Sequence, residues 1–233
     1  MRALGVDTAT GVASVGLVTN DTAVARQRPM AGSHARTLLP LIDEVLAAAG
    51  VTLATVDLLA VSIGPGSFTG LRIGLAVVKG LALASGIPVV GVPTLEAYAR
   101  ALGPRSGAVW PVLDARKGEV YAAGYHWRHT ALEEIAAPAA LSPAALAGLL
   151  RPPCTLVGDG VDAYAERWSA IAGVTGLRLA ECPPDGGEVA RLGAALLMTE
   201  GAADLAALEP RYCRRSEAEL HRSGIAAAAV STG

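Results

Sequence analysis

The sequence predicts an α/β fold made of two similar units, each a mixed five-stranded sheet flanked by helices. Apolar runs of strand length alternate with longer segments of helical periodicity along most of the chain. The order strand-strand-strand-helix-strand-helix-strand-helix occurs twice, once on each side of Gly103-Pro104-Arg105-Ser106-Gly107. The first hairpin of each half carries an aspartate four residues ahead of a glycine, Asp7 to Gly11 and Asp114 to Gly118. At 52% hydrophobic and 17% charged, the 233 residues fill a core of that size and are not a disordered chain.

In the first half, residues 2–7, 11–19 and 22–28 read as strands joined by short turns. Residues 33–50 read as a helix, with Leu38, Leu41, Ile42, Val45 and Leu46 on one face, Gly50 as the stop, and Pro40 predicting a kink or late start. Residues 57–62 are a strand that runs into Ile63-Gly64-Pro65-Gly66-Ser67-Phe68-Thr69-Gly70-Leu71-Arg72-Ile73-Gly74, and 71–85 a long apolar helix. Gly64 and Gly66 can take turn angles that other residues resist, and Ser67 is placed to cap the helix. Gly66, Gly70 and Gly74 recur every four residues and predict close approach of another backbone. A strand at 88–92 and a helix at 94–102 complete the half. In the second half, 108–114, 119–127 and 131–136 are strand-like. Ser142 and Pro143 open a helix to residue 150, as cap and first helical position. A strand at 154–158, a helix at 161–170, a strand at 177–180 and a helix at 188–200 follow. The expected domains are 1–103 and 104–222, with 223–233 a loose tail. Duplicated three-plus-two sheets of this kind make the actin/Hsp70/sugar-kinase (ASKHA) superfold of paired RNase H-like domains.

Several function classes fall away on composition and spacing. A formal net charge of −2 offers no global field for nucleic acid, so any RNA contact must be local or made through a partner. Seventeen Arg against two Lys reads as the coding bias of a GC-rich genome. Cys154, Cys182 and Cys213 are too few and too scattered for a disulfide framework or a zinc site, which predicts a reducing, cytoplasmic setting. Asp7 and Thr8 stand where a signal peptide needs its apolar core, and Lys79 interrupts the longest apolar run; no membrane partner is expected. Gly70 is followed by Leu71 and Arg72 rather than the Lys-Ser/Thr of a phosphate loop. Gly64, Gly66 and Gly70 are one residue too widely spaced for a dinucleotide fingerprint, and Ser67 lacks the flanking glycines of a hydrolase elbow. His126 and His129 read as a solvent-facing rim, and no His-Glu-x-x-His is present.

The string from Ile63 to Gly74 is far more specific than these patterns. It resembles the TsaB (YeaZ) family, the non-catalytic subunit of bacterial tRNA threonylcarbamoyladenosine synthesis. Residues 208–215, Leu-Glu-Pro-Arg-Tyr-Cys-Arg-Arg, resemble that family's closing segment with Cys213 in place of a leucine. The resemblance runs from Arg2 to about Arg215 and implies the duplicated fold described above. It implies dimerisation with a TsaD-type catalytic subunit, held competent to pass threonylcarbamoyl onto tRNA adenosine beside the anticodon. A TsaE-type ATPase would complete the set, with a homodimer possible when the chain is alone and tRNA met only through the complex. The catalytic paralogue carries His-Met-Glu-Gly-His where this chain reads Thr94-Leu95-Glu96-Ala97-Tyr98. Both imidazoles are lost, so no catalytic residue, metal or cofactor is expected.

Asp7, Thr8 and Thr10 occupy the place where ATPases of the superfold hold phosphate and magnesium; the reading is a vestigial nucleotide pocket, with a plain Asx turn as the alternative. The two helices of the first half are more apolar than one sheet face requires. With the resemblance, they imply a partner interface at His34, Leu38, Leu39, Ile42, Leu46, Phe68, Gly70, Leu71, Gly74, Leu75 and Val78. The competing readings are an actin-like small-molecule kinase or ATPase using Asp7 and Asp114 and, further off, a peptidase. The basic cluster Arg211, Arg214, Arg215, His221 and Arg222 reads as a solvated terminus or a contact for a partner or tRNA phosphate.

Overall fold

A computed structural model describes residues 1–20, 22–30 and 34–213. The first sheet holds β1 (Ala3–Asp7), β2 (Val12–Val18), β3 (Ala23–Pro29), β4 (Leu58–Gly64) and β5 (Val89–Pro93) in the order β3-β2-β1-β4-β5. β1, β2 and β3 pair antiparallel, while β4 pairs parallel with β1 and with β5. The second sheet holds β6 (Ala108–Arg116), β7 (Glu119–Arg128), β8 (Ala131–Leu141), β9 (Cys154–Val157) and β10 (Val174–Leu177) in the order β10-β9-β6-β7-β8. Read from the other edge, this is the first sheet strand for strand, with the same directions. The duplication inferred from element order is therefore the architecture.

β1 and β4 are buried at every residue, which is why they read as unbroken apolar runs rather than alternating ones. On one face lie α1 (His34–Ala48) and α2 (Phe68–Ser85), whose Leu38, Leu41, Ile42, Val45, Leu75 and Val78 join the largest core cluster. Pro40 sits inside α1 on its exposed side, so the helix begins before the proline instead of being delayed by it. On the other face lies α3 (Thr94–Ala101). Its Leu95, Tyr98 and Ala99 pack against Val109, Leu113, Tyr125 and Val157 of the second sheet, so this short helix joins the two lobes.

The last helix, α7 (Gly186–Glu200), was expected to close the second unit and instead covers the first sheet beside α3. Gly5 and Gly16 make that possible: a Cβ on either would overlap backbone at Gly186, Gly187 or Ala190. The Gly186 amide donates to Ser14 Oγ at 2.9 Å. The second sheet is covered by α4 (Pro143–Leu149), α5 (Asp159–Ala163) and α6 (Ala165–Ser169). The single helix expected at 161–170 is thus two, broken at Tyr164, with Trp168 Nε1 donating to the Gly160 carbonyl at 3.0 Å. The strand expected at 177–180 lies earlier, because β10 pairs in register with β9 from Val174.

Past α7 the chain straps back over the first sheet. Ala203 N donates to Val89 O at 2.8 Å and Arg211 N to Ile63 O at 2.6 Å, with Leu208 buried between them. Of the basic terminal cluster only Arg211 belongs to the described residues; Arg214, Arg215, His221, Arg222 and the tail at 223–233 lie outside them. By length and composition alone α2 would qualify to cross a membrane. In the fold its Leu71, Leu75, Val78 and Ala82 are buried, while about two thirds of the helix is not.

Candidate functional site

The loop between β4 and α2 is shaped by the residues that nominated it. Ser67 caps α2, its Oγ accepting from Gly70 N at 3.2 Å. Gly66, Gly70 and Gly74 form one inward stripe against the turn after β1: a Cβ at each would meet Ala9, the Thr8 carbonyl and Thr8 Oγ1 respectively. Thr8 Oγ1 then donates to the Gly70 carbonyl at 2.8 Å. Helix and hairpin are in backbone contact, as the four-residue spacing predicts.

That contact turns Asp7, Thr8 and Thr10 in upon the protein. All three are buried, Asp7 at 1% exposure. Asp7 Oδ2 accepts from Ser62 Oγ at 2.6 Å and Oδ1 from Ala9 N at 3.0 Å. Burial raises the Asp7 carboxyl above the usual carboxylate range, and these two hydrogen bonds oppose the rise. Thr10 Oγ1 accepts from Val12 N at 3.3 Å. The Asx-turn alternative describes Asp7 well: its carboxylate bonds the backbone two residues on.

The positions compared with the paralogue's metal histidines have structural partners of their own. Thr94 Oγ1 accepts from Gly64 N at 2.9 Å, tying α3 to the organising loop. Tyr98 is buried in the inter-lobe cluster, its hydroxyl beside Thr10 and Asp7 but with no partner at hydrogen-bonding geometry among the described residues. Burial, then the Asp7 charge, push the phenol well up. In the second hairpin Asp114 N donates to Asp159 Oδ1 at 2.9 Å, and Asp114 pairs with Arg116 at 3.1 Å. Burial above all lifts Asp159 to about 6, with Asp114 adding to the rise. Among the described residues, no three His, Cys, Asp or Glu side chains are grouped to hold a metal ion.

The interface residues divide sharply. Leu38, Ile42, Leu46, Gly70, Leu71, Gly74, Leu75 and Val78 are buried within the chain and form its core rather than a strip for a partner. The physical reason is the glycine stripe: once Gly66, Gly70 and Gly74 face the hairpin, the side chains on that side of α2 face inward too. Leu39 and Phe68 are exposed, at 47% and 43%. The side chain of His34 lies outside the described residues. The outward face of α2 carries Thr69, Arg72, Ala76, Gly80 and Leu83, the last 76% exposed, and a Cβ at Gly80 would meet nothing within 4 Å. Ala76, Gly80 and Leu83 were not singled out from sequence. Their signal was there, since at 3.6 residues per turn they stand roughly a quarter to half a turn away from Gly70 and Gly74. Arg72 and Tyr212 were also missed as a unit, because 140 residues separate them.

Comparison with known proteins follows the same lines. Residues 28–171 match the family described as TsaD: tRNA N6-adenosine threonylcarbamoyltransferase. The Escherichia coli tRNA threonylcarbamoyladenosine biosynthesis protein TsaB is 41% identical over 54% of this chain and 55% of its own length. The Haemophilus influenzae protein of the same name is 33% identical over 70% of this chain and 74% of its own. The chain therefore spans just over half of the first relative and about three quarters of the second. The solved structure of YeaZ from Pseudomonas aeruginosa superposes with a TM-score of 0.74 at 28% identity, covering 91% of this chain and all of that one.

Proposed function

This chain belongs to the TsaB family of tRNA threonylcarbamoyladenosine biosynthesis proteins, and on that premise we propose that it serves this synthesis as a non-catalytic accessory subunit. It docks the outer face of α2, with the exposed side of α1, onto a TsaD-type catalytic subunit in the cytoplasm. Binding energy at that face is spent on ordering the partner's active site, not on bond chemistry in this chain. A TsaE-type ATPase joins the pair, a second copy of the chain can occupy the same face when no partner is present, and tRNA is met within the complex.

The observation that carries the proposal is α2 itself: apolar enough in composition for a bilayer, it buries about a third of its residues and leaves Ala76, Gly80 and Leu83 in solvent. Such a face is a docking surface more naturally than an accident of composition, and small residues at 76 and 80 let a partner helix approach closely. The non-catalytic half rests on Asp7, which is sealed and hydrogen-bonded internally, and on Thr94 and Tyr98, which serve as packing. Buried variants such as Leu75→Glu or Gly70→Glu would unfold the helix from its hairpin and so cannot test docking. Gly80→Glu and Leu83→Glu do test it. Either is expected to abolish co-purification with the TsaD-type subunit while leaving the melting temperature within a few degrees, about the range for exposed substitutions. Undiminished co-purification of both variants overturns the proposal.

A further inference from the structure

One cluster lies on the surface at the N-terminal end of α2, beside the docking residues Ala76, Gly80 and Leu83. Phe68, the only phenylalanine of the chain and 43% exposed, opens α2. Tyr212, brought back by the terminal strap, stacks on it with centroids 5.3 Å apart and planes 29° from parallel. The Arg72 guanidinium lies 3.9 Å from the Phe68 centroid, and its Nε donates to the Tyr212 hydroxyl at 3.1 Å. A 3.1 Å bond cannot span an intervening ring, so Arg72 and Tyr212 share one face of Phe68. With both partners in place Phe68 is still 43% exposed.

Arg72 is held in one place by its neighbours. Its long side chain is fixed by the ring beneath it and by Tyr212, so little rotamer freedom is left to lose on binding. It makes no ion pair among the described residues, and its exposed guanidinium presents a planar fork suited to phosphate. Arg211, exposed, lies next along the strap. An exposed aromatic residue beside a pre-set guanidinium meets the two requirements of an unpaired nucleotide, a ring to stack on and a donor for its phosphate. A protein partner would also find an anchor here. RNA is favoured because Arg72 and the strap residue Arg211 are both exposed cations, outnumbering Glu209 nearby, and because the family's pathway modifies tRNA.

We propose that Phe68, Arg72 and Tyr212 form a stacking platform for an unpaired nucleotide of the tRNA substrate. The inference rests on the proposed role in tRNA modification but not on the docking face. The test is fluorescence anisotropy of a labelled anticodon stem-loop RNA with the full chain, at low and moderate salt. Phe68→Leu is expected to weaken binding about tenfold with an unchanged salt slope, since it removes stacking alone. Arg72→Gln is expected to weaken it and flatten the salt slope by about one phosphate contact. Leu83→Glu, on the docking face, is expected to bind RNA like the wild type, so a failure of docking and a failure of the platform are told apart. Absence of RNA binding by the wild type at low salt overturns the inference. So does wild-type affinity in Phe68→Leu, and so does a Phe68→Leu variant that loses only the protein partner.

Discussion

Gly70 and Gly80 lie on the same apolar helix and differ in what stands opposite them, which makes them a matched pair for measuring the contact that shapes this protein. Replacing either by alanine gains helix propensity of about 1 kcal/mol. At Gly80 the new methyl enters open space, so that gain is the whole effect and Gly80→Ala is expected to be slightly more stable than wild type. At Gly70 the methyl overlaps the Thr8 carbonyl. Helix or hairpin must move, at about 1–3 kcal/mol for forced overpacking. The displacement also breaks the 2.8 Å bond from Thr8 Oγ1 to the Gly70 carbonyl, worth about 0.5–1.5 kcal/mol. Because the propensity gain cancels between the two variants, their difference is about 1.5–4.5 kcal/mol. At roughly 2–4 °C per kcal/mol for a chain of this length, that is a gap of about 3–18 °C in melting temperature. Thermal unfolding followed by circular dichroism reads it directly. Equal melting temperatures for Gly70→Ala and Gly80→Ala would refute the claim that backbone contact between α2 and the first hairpin holds the lobe together.

Two further outcomes concern buried polar groups near the contact between the lobes. Asp159 has its pKa raised to about 6 by burial, so the folded state binds the proton more tightly than the unfolded chain does. Its contribution to stability is therefore present below about pH 4 and is lost as pH rises through 6. Asp159→Asn, which can still accept from Asp114 N, is expected to flatten that decline and to be more stable than wild type at pH 7.5 by roughly 1–2 kcal/mol. Urea midpoints at pH 5 and 7.5 that shift equally in both proteins would contradict it. Tyr98→Phe removes a buried hydroxyl without a hydrogen-bond partner among the described residues and is expected to leave stability unchanged or raise it by about 1 kcal/mol. A clear loss in the urea midpoint would show that this hydroxyl is bonded after all.

The sequence by itself determined most of what depends on local spacing, the break at Tyr164 and the start of β10 at Val174 excepted. Paired strands and helices follow from runs and periodicities, the duplication from the recurrence of their order, and the helix-on-hairpin contact from glycines at 66, 70 and 74. The Ser67 cap follows from its position before an apolar helix, and the unsuitability of Thr94 and Tyr98 as metal ligands from their side chains. Only the tertiary structure decided what depends on which surfaces meet. Apolar periodicity predicted α1 and α2 as helices but could not divide core from surface, because an all-round apolar helix has no polar face to orient it. Leu38, Leu75 and Val78 went inward and Leu83 outward through the packing of the glycine stripe on Thr8 and Ala9. The crossing of α7 to the first sheet rests on Gly5, Gly16 and Gly186, three positions far apart in the chain whose missing side chains matter only once they face one another. The stack of Phe68, Arg72 and Tyr212 is the same case: a strap returning over the sheet joins residues that no local pattern connects.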